Sequence, residues 1–283
     1  MHVEPITKLL GARILLAPEE LLDPGVPEKI LAYLDAHGVL LFPELNANDE
    51  QMVALSQRLG EMEAAKVTAD ESEASKLGIY RISKEEKDAA QAEYILGNDY
   101  WHMDGTSFSV PGKATLLKCE NPPSVGGETE FANLYAAYEA LDEGIKSQIS
   151  DLTVIHSMAA AMRKINLSPS SDDWSRWNAV FPPTRQPLVW RQPDGRVSMI
   201  IGNTAETIAV MNSDEARVLL DDLEAWCTQS AFTYRHRWRK GDLVIFNNPG
   251  LLHRSLPYPA DSGRVLHRAT VKGSISTAVK EYS

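Results

Sequence analysis

The sequence predicts a mainly β domain with accompanying helices, and three observations lead to this fold class. The chain has 283 residues and 43% hydrophobic content, which is enough for one sizeable core. We therefore predict one domain that spans residues 1–283, and not two smaller domains. Strand-like segments dominate about the last hundred residues, whereas clear helical spacing is confined to a few short stretches. No internal repeat divides the chain.

Net charge and composition argue against several classes of partner. The formal net charge is −11 and no run of Lys or Arg is long enough to offset it, so a nucleic-acid partner is not expected. The first residues have neither the basic start nor the apolar run of a signal peptide, and no stretch is long enough to span a bilayer. We therefore expect a cytoplasmic protein without a membrane partner. Cys119 and Cys227 lie in apolar or helical patterns, which favour small buried residues over a disulfide or a nucleophile.

Two helices and a strand are predicted in the amino-terminal part. Residues 27–38 have a Pro in the first turn, apolar residues at helical spacing and Gly38 as a stop signal. Residues 39–43 indicate a short buried strand. A second helix begins near Asp49 and ends at Gly60, with apolar residues on one side.

Two segments are predicted to cover a pocket. Residues 61–95 are mostly charged and rich in Ala and Glu, interrupted by the strand-like residues 78–82, and a solvated face is the alternative interpretation. Periodicity also fails over residues 159–185, which predicts a long loop of the kind that often forms a lid or a binding loop.

The remainder of the chain is predicted to consist of strands and turns with two helices, at about residues 135–145 and 213–228. In residues 232–238 the side chains alternate between two faces, so His236 is expected to be a residue of a half-buried sheet. The predicted strands are residues 114–119, 128–131, 152–156, 187–191, 197–201, 232–238, 242–246 and 264–272.

The side chains with the clearest chemical potential form a His-x-Asp motif. His102 and Asp104 are separated by one residue, so on an extended strand both would point to the same face and reach one point in space. An imidazole nitrogen and a carboxylate oxygen suit a metal ion, and a second, distant His would complete the two-His-one-carboxylate face of a non-haem Fe(II) site. The motif alone is weak evidence, because capping and surface roles are common for such residues.

His253 is the best candidate for the third ligand, because it follows a turn at residues 247–250 and precedes the last strand. In isolation, a capping or turn role would be the simpler interpretation. On the last strand, Arg264 and Arg268 share one face, and their backbones are separated by about 13 Å. This separation favours two different anionic partners over one shared carboxylate.

Four segments of the chain resemble motifs of the taurine/2,4-dichlorophenoxyacetate dioxygenase family of Fe(II)- and 2-oxoglutarate-dependent oxygenases, and they occur in the same order as in that family. The resemblance covers most of the chain, and it includes the spacing of eleven residues between the distal His and the Arg that anchors the cosubstrate in the family. The segments are residues 98–108 around the His-x-Asp motif, residues 126–133 with the sequence GGETEFAN, His253, and residues 263–270 with the sequence GRVLHRAT.

The resemblance implies a double-stranded β-helix, a cupin-like jelly roll with flanking helices. It also implies one iron ion bound by three protein side chains. The implied iron ligands, which are also the catalytic residues, are His102, Asp104 and His253.

The resemblance further implies roles around the iron. Thr129 and Arg264 match the pair that binds the far carboxylate of 2-oxoglutarate, by a hydroxyl hydrogen bond and a charge-assisted guanidinium contact. Asn98 and Arg268 match positions that face the prime substrate in sulfonate-using members.

The reaction implied by the resemblance is hydroxylation of a small, anionic organic molecule with Fe(II), 2-oxoglutarate and O2, with release of succinate and CO2. A sulfonate, a sulfate ester, an aryloxyalkanoate and an amino acid are all candidates, and hydroxylation next to the heteroatom group of the first three would lead to its release. Around residues 61–64 the chain has no His where taurine-specific members present one to the sulfonate, so taurine is not favoured. Trp101, Met103 and Phe108 are expected to line an apolar part of the pocket. A homo-oligomer is left open.

Two other classes fit the same three ligands. A zinc hydrolase could use them to activate water, but it has no need of a dicarboxylate anchor such as Thr129 and Arg264. A sensor built on the same barrel would bind a small molecule without consuming oxygen, and the intact set of ligands argues against it.

Overall fold

A seven-stranded sheet forms the larger of two walls in the fold. The structure is a computed structural model that describes residues 1–63, 73–85, 95–166 and 168–277. In spatial order its strands are β1 (His2–Pro5), β2 (Ala12–Leu15), β3 (Val39–Phe42), β13 (Leu243–Asn247), β5 (Ala114–Asn121), β15 (Val265–Val271) and β4 (Tyr80–Ile82). Neighbouring strands are antiparallel except for β2 and β3. The sheet therefore places strands that are far apart in the chain side by side.

A smaller sheet packs against this wall through a shared apolar core. It consists of β12 (Thr233–His236), β6 (Thr129–Asn133) and β14 (Leu251–Ser255), all antiparallel. Leu117 of the larger sheet and Phe131 of the smaller sheet belong to the same buried cluster. The two sheets are thus the two walls of a β sandwich.

Helices cover the outer face of the larger sheet, because alternate residues of its strands point away from the smaller sheet. Helix α1 (Val26–His37) ends before Gly38, and helix α2 (Asp49–Leu59) begins after Asn48, whose side chain caps it. These helices and the strand between them agree with the sequence prediction. The apolar residues of this helix–sheet contact include Ile30, Leu40, Phe42, Met52, Leu55 and Ile245.

Short strands outside the two walls form two small sheets. They are β8 (Thr184–Pro187), β7 (Thr153–His156) and β11 (Ala205–Ile208) in one sheet and β9 (Val189–Arg191) and β10 (Val197–Met199) in the other. The long helix Ser213–Cys227, named α8, packs its buried residues into the same apolar cluster as these strands. This cluster supports the smaller wall from outside.

The helix predicted over residues 135–145 is in fact two helices. Helix α4 (Leu134–Glu139) is followed by a break, and α5 (Glu143–Ile149) begins after Asp142, whose carboxylate accepts a hydrogen bond from the backbone N–H of Gly144 at 2.7 Å. A carboxylate in this position satisfies an otherwise unpaired amide at a helix start, so a new helix begins there. The single-helix prediction was wrong because the apolar spacing continues across the capping residue.

The long loop predicted for residues 159–185 is largely helical. Helix α6 (Met158–Arg163) and helix α7 (Ser171–Val180) pack against each other, and Trp177 of α7 is fully buried between them. A reciprocal capping box starts α7 at Ser170. The loop prediction was wrong because both helices are short and have no long run of apolar residues at helical spacing.

Part of the first predicted cover lies outside the described residues, namely residues 64–72 and 86–94. Within the described part, the short helix α3 (Glu73–Lys76) precedes β4, which confirms the strand-like character of residues 78–82. Strand β4 pairs with β15, so this part of the segment forms the edge of the larger sheet.

Both cysteines are buried and unpaired, as the patterns around them predict. Burial raises the pKa of the Cys119 thiol to about 12, so its nucleophilic thiolate form is scarce at neutral pH. A separate observation concerns the helices: in the part of the chain that the structure describes, none is long and apolar enough to cross a membrane.

Candidate active site

Three side chains from distant parts of the chain meet between the two walls. His102, Asp104 and His253 each present one potential ligand atom, and these atoms lie within 4.8 Å of one another. His102 forms an isolated bridge with His253 of β14, in which each backbone N–H donates to the carbonyl of the other residue at 3.0 and 2.9 Å. This main-chain pairing holds the two imidazoles together, with ring centroids 4.0 Å apart.

Asp104 reaches the imidazoles from a turn and not from the extended strand that the sequence predicts. The turn covers residues 104–107, and Gly105 has a φ of 79°, in the left-handed region that favours glycine. The chain therefore bends directly after the aspartate. The predicted convergence of the three side chains is present, but strand alternation is not its cause.

The hydrogen bonds of the two imidazoles leave nitrogen atoms available for a metal ion. Nδ1 of His102 lies 2.9 Å from the carbonyl oxygen of Tyr100, so Nδ1 must donate and Nε2 keeps its lone pair. Nδ1 of His253 is buried without a hydrogen-bond partner among the described residues. Nε2 of the same ring lies 3.9 Å from Oδ2 of Asp104, beyond hydrogen-bonding distance.

The protonation states of the three side chains also suit a divalent cation. Burial lowers the pKa of His102, and burial together with the nearby His102 lowers that of His253 to about 3, so both imidazoles are neutral at physiological pH. Burial alone would raise the pKa of Asp104, but Arg268 and the two imidazoles outweigh it and hold this pKa well below its usual range. Two neutral imidazoles and a carboxylate are the donor set of a non-haem Fe(II) site, so the residues present fit iron.

Two residues that the sequence analysis did not single out hold Asp104 in place. Thr115 on β5 donates its hydroxyl to Oδ2 of Asp104 at 3.0 Å. The buried side-chain amide of Asn248 accepts from the backbone N–H of Asp104 at 2.9 Å and donates to its carbonyl at 2.8 Å. Asn248 lies in the 3-10 turn before β14, so one side chain ties the Asp104 turn to the strand of His253. The sequence shows the asparagine in this turn, but not its partner far away in the chain.

A buried guanidinium lies near the three side chains. Arg264 directly precedes β15, is only 3% exposed, and donates from Nε to the carbonyl of Gly127 at 3.0 Å and from Nη1 to the hydroxyl of Tyr258 at 3.3 Å. Gly127 has a φ of 69°, and a Cβ there would lie 2.8 Å from Cδ of Arg264. Within the described residues no carboxylate forms an ion pair with Arg264. Because a buried cation without an anion is unfavourable, the site favours an anionic ligand.

Thr129 on β6 has a hydroxyl prepared to donate a hydrogen bond. Its oxygen accepts from the indole Nε1 of Trp238 at 3.0 Å. Since an indole N–H can only donate, the hydroxyl proton of Thr129 remains for another acceptor. Thr129 and Arg264 line the same cavity, as expected for two residues that bind one carboxylate.

Arg268 and Asn98, the two predicted substrate-binding residues, line this cavity and also the next one. Nη1 of Arg268 lies 3.5 Å from Oδ1 of Asp104, and its guanidinium lies over the ring of Tyr80 at 5.3 Å from the centroid. Arg264, in contrast, lines the first cavity but not the second. The two arginines of the last strand therefore have different surroundings, as their predicted separation indicates.

The second cavity, of about 250 Å³, adjoins the three side chains on the side of Asp104. Trp101, which we expected in its lining, is instead buried in the core, with the guanidinium of Arg254 over its ring at 4.6 Å. Met103 and Phe108 do line the cavity, as expected. The apolar side chains around it include Met103, Phe108, Met158, Met162 and Phe181.

Comparisons with known proteins agree with this geometry. The profile of the Taurine catabolism dioxygenase TauD, TfdA family matches residues 2–270. The (S)-phenoxypropionate/alpha-ketoglutarate-dioxygenase of Sphingobium herbicidovorans is 30% identical over 276 residues, which cover 96% of this chain and 94% of that protein. The alpha-ketoglutarate-dependent 2,4-dichlorophenoxyacetate dioxygenase of a Burkholderia species is 30% identical over 268 residues, covering 91% and 89%. A solved structure of AAD-2 in complex with Mn(II) and N-oxalylglycine matches with a TM-score of 0.88 at 30% identity, covering 98% of this chain and 99% of that one.

The fold and the buried donor set together fit an oxidoreductase of the double-stranded β-helix class, with three side chains that could hold a metal ion beside a cavity lined by a buried guanidinium. The chain belongs to the TauD, TfdA family of Fe(II)- and 2-oxoglutarate-dependent dioxygenases. The jelly-roll fold with flanking helices, the enzyme class, and the requirement for Fe(II), 2-oxoglutarate and O2 are thereby confirmed. Its substrate is a small molecule.

Proposed function

We propose that this dioxygenase oxidises an aryloxyalkanoate, a carboxylic acid that carries an aryl ether. The observation that supports this best is the second cavity, which combines the guanidinium of Arg268 with a lining of aromatic and methionine side chains. A guanidinium favours a carboxylate, and the apolar lining favours an aromatic ring. The phenoxypropionate and 2,4-dichlorophenoxyacetate in the names of the relatives support the same class.

His102, Asp104 and His253 would hold the iron, and Thr129 with Arg264 would bind the far carboxylate of 2-oxoglutarate. When bound, iron and cosubstrate supply the oxidative decarboxylation to succinate and CO2 that activates O2. The buried guanidinium contributes charge in a region from which water is excluded, where a charge-assisted contact is strong.

Asn98 and Arg268 would orient the substrate at the boundary between the two cavities. With its carboxylate on Arg268 and its ring among the apolar side chains, an aryloxyalkanoate would place the carbon between them in the second cavity, beside Asp104. Hydroxylation of that carbon gives a hemiacetal or hemiketal, and breakage of its bond to the aryl oxygen gives a phenol and a 2-oxo acid. The protein's part in this reaction is orientation and exclusion of water.

We propose that residues 1–283 form a single domain. Within it, the two predicted covers, residues 61–95 and 159–185, would close this site. The second cavity is lined in part by Met162 and Phe181, from the segment at residues 159–185, and by Met158, directly before this segment. Tyr80, from the segment at residues 61–95, contacts Arg268. Both segments therefore supply side chains next to the proposed substrate.

We also propose a cytoplasmic enzyme that acts on small molecules without nucleic acid or a membrane, and a homo-oligomer is compatible with it. The net charge of −11 supports the absence of a nucleic-acid partner. The two unpaired cysteines are typical of a reducing compartment. Sedimentation analysis of the purified protein would give its oligomeric state.

The test is a screen for substrate-triggered succinate release in the presence of Fe(II), 2-oxoglutarate and O2. The panel contains both enantiomers of 2-phenoxypropionate, phenoxyacetate, alkyl sulfates, sulfonates including taurine, and amino acids. We expect the phenoxy acids to give the largest stimulation and to release phenol in proportion to succinate. The neutral amide of phenoxyacetate is the matched control, and it should stimulate little because it lacks the charge that pairs with Arg268. A clear preference for a sulfonate, an alkyl sulfate or an amino acid would contradict the proposal.

A further inference from the structure

The two oxygens of the Asp104 carboxylate have different neighbours. Oδ2 accepts a hydrogen bond from Thr115 and lies 3.9 Å from Nε2 of His253, so it faces the other potential ligands. Oδ1 lies 3.5 Å from Nη1 of Arg268. One carboxylate is thus placed between the metal position and the guanidinium at the edge of the substrate cavity.

A guanidinium in this position competes with a metal ion. It attracts the same carboxylate that would bind the metal, and its positive charge repels a divalent cation nearby. Arg264 differs, because its donors go to Gly127 and Tyr258. The competition should therefore be a property of Arg268 and not of every cation in the cavity.

Arg268 can also serve a second anion without leaving its place. Its guanidinium has five N–H donors, of which Nη1 faces Asp104, and the ring of Tyr80 supports the planar face of the group. The residue lines both cavities, so an anion in the substrate cavity meets the same guanidinium.

We propose that Arg268 couples substrate binding to metal binding: in the empty site it weakens the hold of Asp104 on the metal, and an anionic substrate pairs with the guanidinium in place, offsets its charge and relieves this competition. The coupling to substrate rests on the proposed function, whereas the competition does not. Because coupling between two ligands is reciprocal, the bound metal strengthens binding of the substrate anion by the same factor.

The first test measures Mn(II) affinity by titration, with neither 2-oxoglutarate nor substrate present. Arg268→Met removes the charge and keeps most of the stem, and we expect it to bind Mn(II) about tenfold more tightly than the unmodified protein. Arg268→Lys keeps the charge and should stay close to the unmodified protein. Arg264→Met, which removes a charge from the same cavity but not from Asp104, should change the affinity less.

A structural role for Arg268 predicts the opposite sign. If Arg268 merely positioned Asp104, its loss would weaken metal binding, by about 10- to 100-fold for a residue that orients a ligand. Circular dichroism and thermal unfolding of the metal-free variants establish that they are folded. Unchanged or weaker Mn(II) binding by folded Arg268→Met would overturn the inference.

The second test adds phenoxyacetate as the anion. In the unmodified protein we expect phenoxyacetate to tighten Mn(II) binding, and in Arg268→Met we expect this effect to disappear. If phenoxyacetate does not bind the unmodified protein, the proposed substrate class is wrong, and the Mn(II) titrations without substrate still decide the competition. If it binds and leaves the Mn(II) affinity unchanged, the coupling is wrong.

Discussion

Two clusters with similar side chains lie on opposite faces of the same pair of strands. His102, Asp104 and His253 lie on the face of β5 and β15 that is turned toward the smaller sheet. Asp49, Glu120 and His267 lie on the other face, which is turned toward the helices, and their potential ligand atoms are also within 4.8 Å of one another. The distances between the potential ligand atoms alone do not distinguish the two clusters.

A resident cation distinguishes them. In the second cluster the buried ammonium group of Lys118 lies 2.5 Å from Oδ1 of Asp49 and 2.6 Å from Oε1 of Glu120, and His267 donates to Asp49 at 2.9 Å. Lys118 thus offsets one of the two negative charges and contacts an oxygen of each carboxylate. In the first cluster the nearest cation is Arg268, at 3.5 Å, and cavities adjoin the three side chains. A bridging cation therefore occupies the second cluster, whereas the first has a more distant cation and open space beside it, as a metal site requires.

Exchanging the aspartate in each cluster should give the largest contrast. Asp104→Ala is expected to abolish metal binding and to reduce succinate formation to the level of a control without enzyme, because the site loses its anionic ligand. Asp49→Ala should keep succinate formation at the assay temperature, since this carboxylate binds Lys118 and His267 instead. Succinate assays on both variants, with circular dichroism to establish folding, make the comparison. Normal succinate formation by Asp104→Ala would refute the assignment of the ligand.

Asn248→Ala is expected to have the next largest effect, because Asn248 holds the backbone of Asp104 on both sides. Loss of such an orienting residue typically weakens metal binding by about 10- to 100-fold. The matched control is Ser198→Ala, which removes the 2.8 Å hydrogen bond to the carbonyl of Pro249 in the same turn without touching Asp104. Mn(II) titration of both proteins separates the two roles, and an equal loss of affinity in both would show that only the turn matters.

Removing the resident cation should turn the second cluster into a weak metal site. We expect Lys118→Met to lower the free energy of unfolding by about 2 kcal/mol, between the values for an exposed and a fully buried ion pair. Added Zn(II) should recover part of this loss, because two carboxylates and an imidazole are then left without a cation. Urea unfolding in an Asp104→Ala background removes the contribution of the first cluster. The account of the second cluster fails if Lys118→Met is as stable as the protein with Lys118.

The second cluster should also produce a small pH dependence of stability. Burial would raise the pKa of Asp49, but its hydrogen bonds to His267 and Lys118 outweigh this and lower the pKa from 3.8 to about 2. Because the pKa of Asp49 is lower in the folded protein, its ionised carboxylate stabilises the fold at pH values above 3.8. This stabilisation is lost as the pH falls from 3.8 toward 2. After allowing for solvent screening we expect about 1 kcal/mol. The difference in unfolding free energy between the protein and Asp49→Asn, measured from pH 2 to 6, should shrink at the acid end.

Much of the fold follows from local patterns in the sequence. The helix at Val26–His37, the strand at Val39–Phe42 and the alternation of residues 232–238 were predictable, because burial of one face imposes a regular spacing. The helices at Met158–Arg163 and Ser171–Val180 were missed, because short helices that pack mainly through alanine and tryptophan show little periodicity.

The site was predicted from residue spacing and from the resemblance to a family. The residues that hold Asp104 in place could not be predicted from either. His102, Asp104 and His253 lie together as predicted, although a backbone bridge and a turn hold them and not a continuous strand. Asn248 and Thr115 act through contacts between distant parts of the chain, which only the folded backbone creates.

The most direct test of the central claim is an absorption spectrum of the anaerobic Fe(II) protein during addition of 2-oxoglutarate. If His102, Asp104 and His253 hold the iron and Arg264 anchors the cosubstrate, a visible absorption band should appear and saturate. The band should be absent in Asp104→Ala, and Arg264→Met should need a much higher concentration of 2-oxoglutarate to reach it. Failure of the band to appear in the iron-loaded, unmodified protein at saturating 2-oxoglutarate would contradict this account of the site.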